Sequence, residues 1–138
     1  MSESPESPPL RSKTITVAID RPVEQVYLFI VDPQNLPRWA TAFVQSVRQV
    51  DGQWFVDTPA GAMKFRFYPR NACGVLDHYV TTPSGEEVLN PMRVFSSGAG
   101  SEVVFTLFQR PGMSDAEFAA DTAMVTSDLE TLRDVLEA

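Results

Sequence analysis

The C-terminal segment, residues 114–138, carries the pattern that most restricts what this chain can fold into. Ser114-Asp-Ala-Glu117 has the S-x-x-E spacing of a helix capping box. Six side chains then recur at alternating spacings of four and three, and no Gly or Pro interrupts them. Such a helix spans about 35 Å and needs an extended apolar surface as its partner. The stripe consists of Phe118, Thr122, Val125, Leu129, Leu132 and Leu136.

The negative charge of the chain is concentrated in this same segment. From Ser114 onward there are seven acidic residues and one basic residue, and the whole chain of 138 residues carries a net charge of −7. We attribute this acidity to the solvated face of the helix. Proteins that bind nucleic acid through phosphate contacts usually carry the opposite sign, so we expect no nucleic acid partner. A composition of 43% hydrophobic and 21% charged residues indicates one globular domain.

The N-terminal residues lack the apolar side chains that folding requires. Residues 1–12 are mostly Ser, Pro and Glu, which predicts a disordered tail ahead of a single domain at residues 13–138. The tail is not a secretory signal, because no apolar stretch follows a basic one. No stretch of the chain reaches the ~20 apolar residues of a membrane span. We therefore expect a cytoplasmic protein.

The scarcity of Cys and His limits the chemistry of the chain. Cys73 has no second cysteine for an internal disulfide, and Cys73 and His78 alone cannot form a His/Cys zinc site. The sequence also lacks the motifs of phosphate-binding loops and of the hydrolase nucleophile elbow. We expect neither a metal nor a cofactor.

Seven strands and two short helices are predicted ahead of the final helix. Alternating β-branched residues predict a strand over 14–19, Pro22 opens a helix to about Val31, and Asp32-Pro33 starts a second helix that stops before Trp39. Short turns make the following sheet antiparallel. Pro91 interrupts one strand and indicates a bulge or an edge there. The later strands are predicted over 43–50, 53–57, 63–68, 74–81, 86–96 and 101–110.

Three segments and the final helix resemble a known superfamily. The segments are residues 15–26 (ITVAIDRPVEQV), 29–39 (FIVDPQNLPRW, with the spacing D-P-x-x-x-P-x-W) and 74–78 (GVLDH). Over residues 13–138 the chain resembles the START-like (SRPBCC, helix-grip) superfamily, especially its bacterial polyketide cyclase/dehydrase-like and activator-of-Hsp90-homologue-like branches. The resemblance implies an α+β fold, β-α-α-β6-α, whose curved seven-stranded antiparallel sheet grips the C-terminal helix. It also implies a cavity for a hydrophobic ligand, but no residue role, because the superfamily has no invariant catalytic set.

The candidate site is the space between the predicted sheet and the predicted helix. A sheet that bends around one helix cannot pack flush along its whole length, so inward side chains of both can line a pocket. The alternative is that the same side chains fill a solid core. The candidate ligand-binding residues are Trp39, Phe43, Met63, Phe65, Phe67, Leu76, His78, Val80, Met92, Phe105, Phe118, Thr122 and Val125.

His78 is the one candidate with acid–base chemistry. It shares a strand face with Leu76 and Val80, so burial is expected to lower its pKa and keep the imidazole neutral. A neutral imidazole can orient a ligand hydroxyl or carbonyl, or act as a catalytic acid–base group. The alternative is a core histidine bonded to a backbone carbonyl or to Thr122.

Three carboxylates near this region are expected to have structural or solvated roles. Asp77 lies on the opposite strand face and is expected to pair with Arg66 across the sheet. Asp121 and Asp128 border the apolar stripe of the helix, where carboxylates are usually solvated. The alternative is that they reach the rim of the cavity.

Apolar side chains on the outer strand faces favour a homodimer through the sheet, provided that the face assignment holds beyond Pro91. The outward residues are Tyr68, Tyr79, Leu89, Phe95, Val104 and Phe108.

The expected function is to bind a small hydrophobic or aromatic molecule, lipid-like or polyketide-like. Two other classes stay open: a polyketide cyclase/dehydratase-like enzyme that uses His78, and a co-chaperone-type protein-binding module.

Overall fold

The computed structural model describes residues 8–138, so residues 1–7 of the predicted tail lie outside the described part of the chain. Ser12, placed above in the tail, begins the first strand. The α+β class and the long C-terminal helix are confirmed. The strands are β1 (Ser12–Ile19), β2 (Ser46–Val50), β3 (Gln53–Thr58), β4 (Gly61–Phe67), β5 (His78–Thr81), β6 (Glu87–Asn90), β7 (Met92–Ser97) and β8 (Gly100–Phe108). The helices are α1 (Val23–Val31), α2 (Leu36–Trp39) and α3 (Asp115–Glu137).

The strands form two antiparallel sheets that meet along a seam. One sheet has the order β1-β8-β7, and the other has the order β2-β3-β4-β5-β6. The chain passes from the first sheet to the second between β1 and β2, and it returns between β6 and β7. The stretch before β5 stays attached to β7, because Leu76 N donates to Met92 O at 2.8 Å and Val94 N donates to Gly74 O at 3.0 Å. The two sheets therefore bend around the helix as one concave wall.

Pro91 accounts for the difference between seven predicted strands and eight observed ones. The predicted strand 86–96 ends at Asn90 and starts again at Met92, and its two halves belong to different sheets. Proline has no N–H to donate to a ladder, so the strand breaks there. The Pro91 carbonyl still accepts a hydrogen bond from Thr106 N of β8 at 3.0 Å. The break is a change of sheet rather than a bulge within one.

The helical signals at the N-terminal end of the domain are confirmed. The Asp32 side chain accepts a hydrogen bond from Gln34 N at 3.0 Å, and Pro33 occupies the first position of the short 3₁₀ turn that leads into α2. The strand predicted to start at residue 43 starts at Ser46 instead. The intervening residues continue as a turn, in which Val44 N donates to Ala40 O at 2.7 Å.

Helix α3 begins at the predicted capping box. Ser114 Oγ accepts from Glu117 N at 3.0 Å, and Glu117 Oε1 accepts from Ser114 N at 2.8 Å. Both ends of α3 are tied to the sheet by hydrogen bonds. Gln109 Nε2, just beyond β8, donates to Asp115 Oδ1 at 2.9 Å, and Asp20 N, just beyond β1, donates to Glu137 Oε2 at 2.8 Å.

The packed core lies under the C-terminal half of α3. Leu129, Leu132 and Leu136 are buried against β1, β8 and α2. Burial of a leucine side chain stabilises a fold by roughly 1.5–3 kcal/mol, so this half of the helix holds the domain together. Within residues 8–138, no helix combines the length and the apolar character needed to cross a membrane.

The outer faces of the sheets differ in part from the expectation. Tyr68, Leu89 and Phe95 are exposed, as predicted, but Tyr79 is half-buried beneath the Arg66 guanidinium, 4.4 Å from its ring. Val104 and Phe108 are half-buried, and Leu89 and Phe108 border the cavity described below. The apolar outer surface is therefore smaller than the sequence suggests, and the homodimer stays a prediction.

The sheet seam gives a first test of the fold. Gly74 has a φ of +72°, and a Cβ there would lie 2.0 Å from the carbonyl oxygen of Val94. We expect Gly74→Ala to lower the free energy of unfolding by about 3 kcal/mol or more, because it combines strain with the loss of a seam hydrogen bond. Gly85→Ala is the control, because Gly85 also has a positive φ but open space around it. It should cost about 1–2 kcal/mol. Equal losses in urea titrations of the two variants would contradict the described packing at the seam.

Candidate functional site

A cavity of about 750 Å³ lies between the sheets and the N-terminal half of α3. This volume falls within the range of roughly 300–1,000 Å³ that is typical of small-molecule sites. The cavity is open to solvent on one side, and its wall is mainly apolar. Met63, Phe65 and Phe67 of β4 form one part of this wall. The alternating pattern of that strand assigns these three side chains to one inward face.

Nine of the thirteen candidate residues line the cavity, and four do not. Leu76 and Met92 are fully buried at the sheet seam, where their side chains belong to the core. Phe118 lies beneath the Arg11 guanidinium at 5.3 Å, and Thr122 donates its hydroxyl to Phe118 O at 2.9 Å. Their assignment to the cavity wall was wrong. The nine lining residues are Trp39, Phe43, Met63, Phe65, Phe67, His78, Val80, Phe105 and Val125.

The two misplaced helix residues show that α3 presents mainly a flank of its apolar stripe to the cavity. Two stripe residues, Val125 and Leu129, also line it, and Ala120 lies beside the flank. The flank residues Glu117, Asp121, Met124 and Asp128 recur at spacings of four, three and four, so they form a second helical stripe that is mostly acidic. Sequence reasoning missed it because carboxylates were assigned to the solvent. The spacing itself was a signal that could have found it.

His78 lies in the aromatic part of the cavity and is 5% exposed. Its ring stacks on Phe65 with a centroid distance of 5.0 Å and meets the edges of Phe67 and Phe105 at 5.6 and 5.4 Å. Its Nδ1 lies 3.1 Å from Leu76 O. Of the two partners expected for a core histidine, a backbone carbonyl and Thr122, the structure therefore shows the backbone carbonyl. Burial lowers the pKa of His78 to about 4, so the imidazole is neutral at pH 7.

Asp128 is a buried carboxylate in the wall of the same cavity, and the expectation that it would be solvated was wrong. It is 4% exposed, and its Oδ1 accepts from Ala42 N at 2.8 Å. Burial raises its pKa to about 6, although the hydrogen bonds from the Ala42 and Phe43 amides partly oppose this shift. Asp128 thus connects α3 to the turn that follows α2 and carries Phe43. Asp121, one turn nearer the cavity mouth, is half-buried, and burial raises its pKa as well.

The cavity mouth is lined by acidic side chains with one arginine among them. Arg110 Nη1 binds Glu86 Oε1 at 2.7 Å, which neutralises that cation. Glu117 is engaged in the helix cap. Within residues 8–138, no group of three His, Cys, Asp or Glu side chains lies close enough together to hold a metal ion.

The expected pair of Asp77 and Arg66 does not form. Arg66 lies opposite Tyr79 in the register of β4 and β5, and its Nη2 binds Glu87 Oε2 at 3.3 Å. Asp77 lies at the seam, where it accepts from Met92 N at 2.9 Å and binds Arg93 Nη2 at 2.9 Å. Asp77 therefore fixes the start of β7 rather than bracing two strands of one sheet.

Trp39 closes the inner end of the site. It is 4% exposed, and its indole Nε1 is buried with no hydrogen-bond partner among the described residues. Its ring nevertheless forms part of the cavity wall beside Ala40 and Phe43. The side chain acts here as an apolar wall, since water does not reach its only polar atom.

Comparison with known proteins identifies the fold. No family model and no curated protein matches the sequence. Solved structures do match: XoxI from Bacillus cereus has a TM-score of 0.72 at 18% identity, covering 92% of this chain and 98% of that one. The Aha1 dimer from Colwellia psychrerythraea has a TM-score of 0.72 at 14% identity, covering 93% and 97%. The di-domain ARO/CYC protein BexL has a TM-score of 0.72 at 19% identity, covering 93% of this chain and 47% of that one.

These similarities confirm the helix-grip fold that the sequence resemblance implied. The matching structures include a dimer and a di-domain protein. At identities of 14–19% the likeness concerns the fold. The chemistry of this chain has to be argued from its own cavity.

The buried Asp128 gives a pH-dependent test of the site. Its pKa is higher in the folded chain, about 6, than the ordinary value of 3.8, so the folded state keeps the proton longer than the unfolded state does. Stability contributed by the protonated form is therefore lost as the pH rises from about 4 to 6 and stays lost above that. Asp128→Asn keeps the oxygen that accepts from Ala42 and removes the charge.

We expect Asp128→Asn to abolish this loss and to be about 1–2 kcal/mol more stable than the wild type at pH 7.5. Urea titrations between pH 4 and pH 8 measure both effects. Asp134→Asn, at an exposed position on the same helix, is the matched control. A less stable Asp128→Asn variant at pH 7.5 would mean that the folded chain favours the charged carboxylate.

Proposed function

We propose that this chain binds a small hydrophobic or aromatic molecule in the cavity between its sheets and α3. The observation that carries the proposal is the cavity itself, an open space of about 750 Å³ with a mainly apolar wall. An apolar wall that stays in contact with water forgoes the stabilisation of burial, and a hydrophobic ligand supplies it. The proposal therefore accounts for the apolar side chains that face this space.

The aromatic side chains of the cavity favour a flat ring system over a flexible chain. Phe65, Phe67, Phe105 and His78 surround one region with stacked and edge-to-face contacts, and these geometries accept a further ring readily. One of the matching structures is an ARO/CYC protein of a biosynthetic pathway. We therefore propose a polyketide-like aromatic ligand ahead of a lipid.

An enzyme is the second candidate function. A neutral imidazole in a mainly apolar cavity is in the correct protonation state for a general base, and it favours a cyclase- or dehydratase-like reaction with His78 as the acid–base group. Among residues 8–138, however, no side chain hydrogen-bonds to His78. Binding without turnover is thus the first candidate, because no second group orients this histidine for proton transfer.

The protein-binding alternative receives less support from the cavity. A protein-binding module would be expected to have a filled core and a broad exposed aromatic face, whereas this domain has an open cavity and few exposed aromatic side chains on its sheets. One matching structure is a dimer, and we retain a homodimer through the outer sheet as a prediction. Light scattering that shows only monomer at high concentration would contradict it.

A pair of tryptophan substitutions on α3 tests the proposed function. Val125→Trp places a large side chain in the cavity wall and is expected to weaken binding of the neutral probe N-phenyl-1-naphthylamine at least tenfold, because it fills the space. Ala123→Trp, two residues away on an exposed part of the helix, is the control and should leave binding unchanged. Probe fluorescence measures both, and thermal unfolding verifies that both variants fold. Equal effects of the two variants, or no binding by the wild type, would contradict the proposal.

Native mass spectrometry of protein purified from its own host would identify the bound molecule. We expect a retained aromatic compound of a size that fits the cavity. A retained acyl lipid would contradict the preference for a flat ring system and would leave the cavity assignment intact.

A further inference from the structure

The hydrogen bond of His78 determines which kind of polar group its free nitrogen can bind. Nδ1 lies 3.1 Å from Leu76 O, and a carbonyl oxygen only accepts hydrogen bonds, so Nδ1 carries the proton. The neutral ring then has no proton on Nε2. Within the described chain no donor reaches Nε2, although His78 is buried and lines the cavity. Nε2 is therefore a hydrogen-bond acceptor without a donor.

The surroundings of Nε2 increase the cost of leaving it unpaired. Three phenylalanine rings lie with their centroids within 5.6 Å of the imidazole, and none of them can donate a conventional hydrogen bond. Nε2 itself is not fully buried, so it faces the open cavity. A ligand that displaces solvent without offering a donor would leave Nε2 unpaired among these rings, so a ligand with a donor is favoured. A ligand that presents a carbonyl oxygen there would instead place two acceptors face to face.

The charges of the cavity wall are also predominantly of one sign. Asp121 and Asp128 lie on the flank of α3 that faces the cavity, and both are at least half-buried. Arg110 is the one lysine or arginine among the lining residues of the described chain, and Glu86 already binds it at 2.7 Å. No free cation remains in this wall to balance an anionic ligand, which would have to lose its hydration beside like charges.

From this geometry we propose that the ligand is a flat aromatic molecule that bears a hydrogen-bond donor, such as a phenolic hydroxyl, and no negative charge. The donor binds Nε2 of His78, and the ring packs against the cavity side of Phe65, Phe67 and Phe105. Carboxylates, fatty acids among them, are excluded by the acidic wall. This inference rests on the proposed function and goes further by giving the ligand a polarity and a charge.

Four probes of similar size separate these features. They are 2-naphthol, which has a donor; 2-fluoronaphthalene, which has none; 2-naphthaldehyde, which has only an acceptor; and 2-naphthoate, which is an anion. Equilibrium dialysis against the full chain at pH 7.5 gives a Kd for each. We expect 2-naphthol to bind about fivefold to tenfold more tightly than 2-fluoronaphthalene, in keeping with one hydrogen bond to a buried acceptor. The aldehyde should bind no better than 2-fluoronaphthalene, and the naphthoate at least tenfold more weakly.

Two variants assign the effects to residues. His78→Asn replaces the ring by a shorter amide that can still donate near Leu76 O, and it removes Nε2. It should abolish the advantage of 2-naphthol over 2-fluoronaphthalene while 2-fluoronaphthalene still binds. Asp121→Asn removes a charge from the cavity flank and should strengthen naphthoate binding severalfold relative to the binding of 2-naphthol. Asp134→Asn, which lies outside the cavity wall, is the control for net charge.

The outcomes separate this inference from the function on which it rests. If none of the four probes binds, the proposed function fails. If 2-fluoronaphthalene binds but 2-naphthol gains nothing, or if naphthoate binds most tightly, the proposed function stands and the polarity assigned to the ligand is wrong. Retention of the 2-naphthol advantage in a folded His78→Asn variant would remove Nε2 from the site.

Discussion

Burial of Leu129, Leu132 and Leu136 against β1, β8 and α2 is the interaction on which the rest of the structure depends. Because this half of α3 is packed closely, its N-terminal half can run over the concave wall without filling it. Each buried leucine contributes roughly 1.5–3 kcal/mol, enough for an open cavity to persist in a domain of ordinary stability. The C-terminal half of α3 thus stabilises the domain, and its N-terminal half borders the cavity.

The sheet seam determines what the open half can bind. Pro91 cannot continue a ladder, so the chain changes sheet there. On the neighbouring segment, Leu76 N bonds to Met92 O on one side of this break, and His78 pairs with Asn90 on the other. The carbonyl of Leu76 accepts the hydrogen bond from Nδ1 of His78. The break at Pro91 therefore lies beside the segment that carries the buried imidazole of the wall.

Local signals in the sequence predicted local structure well. The capping box at Ser114 and the Asp32-Pro33 helix start were confirmed because their causes lie within a few residues. The partner of Arg66 and the rotation of α3 were wrong because they depend on the register of β4 with β5 and on which flank of the helix faces the wall. The apolar side of the cavity followed from strand alternation. Its acidic side did not, since carboxylates are solvated in most helices.

The hydrogen bonds at the two ends of α3 affect how a ligand enters the cavity. Gln109 holds Asp115 at one end, and Asp20 holds Glu137 at the other, so the helix is fastened to both strands that flank it. The opening of the cavity is instead bordered by Leu10, by the β3–β4 turn and by the loop that follows β8. Admission and escape are then expected to follow loop fluctuations, on roughly the nanosecond-to-microsecond timescale, while the helix behaves as a stationary wall.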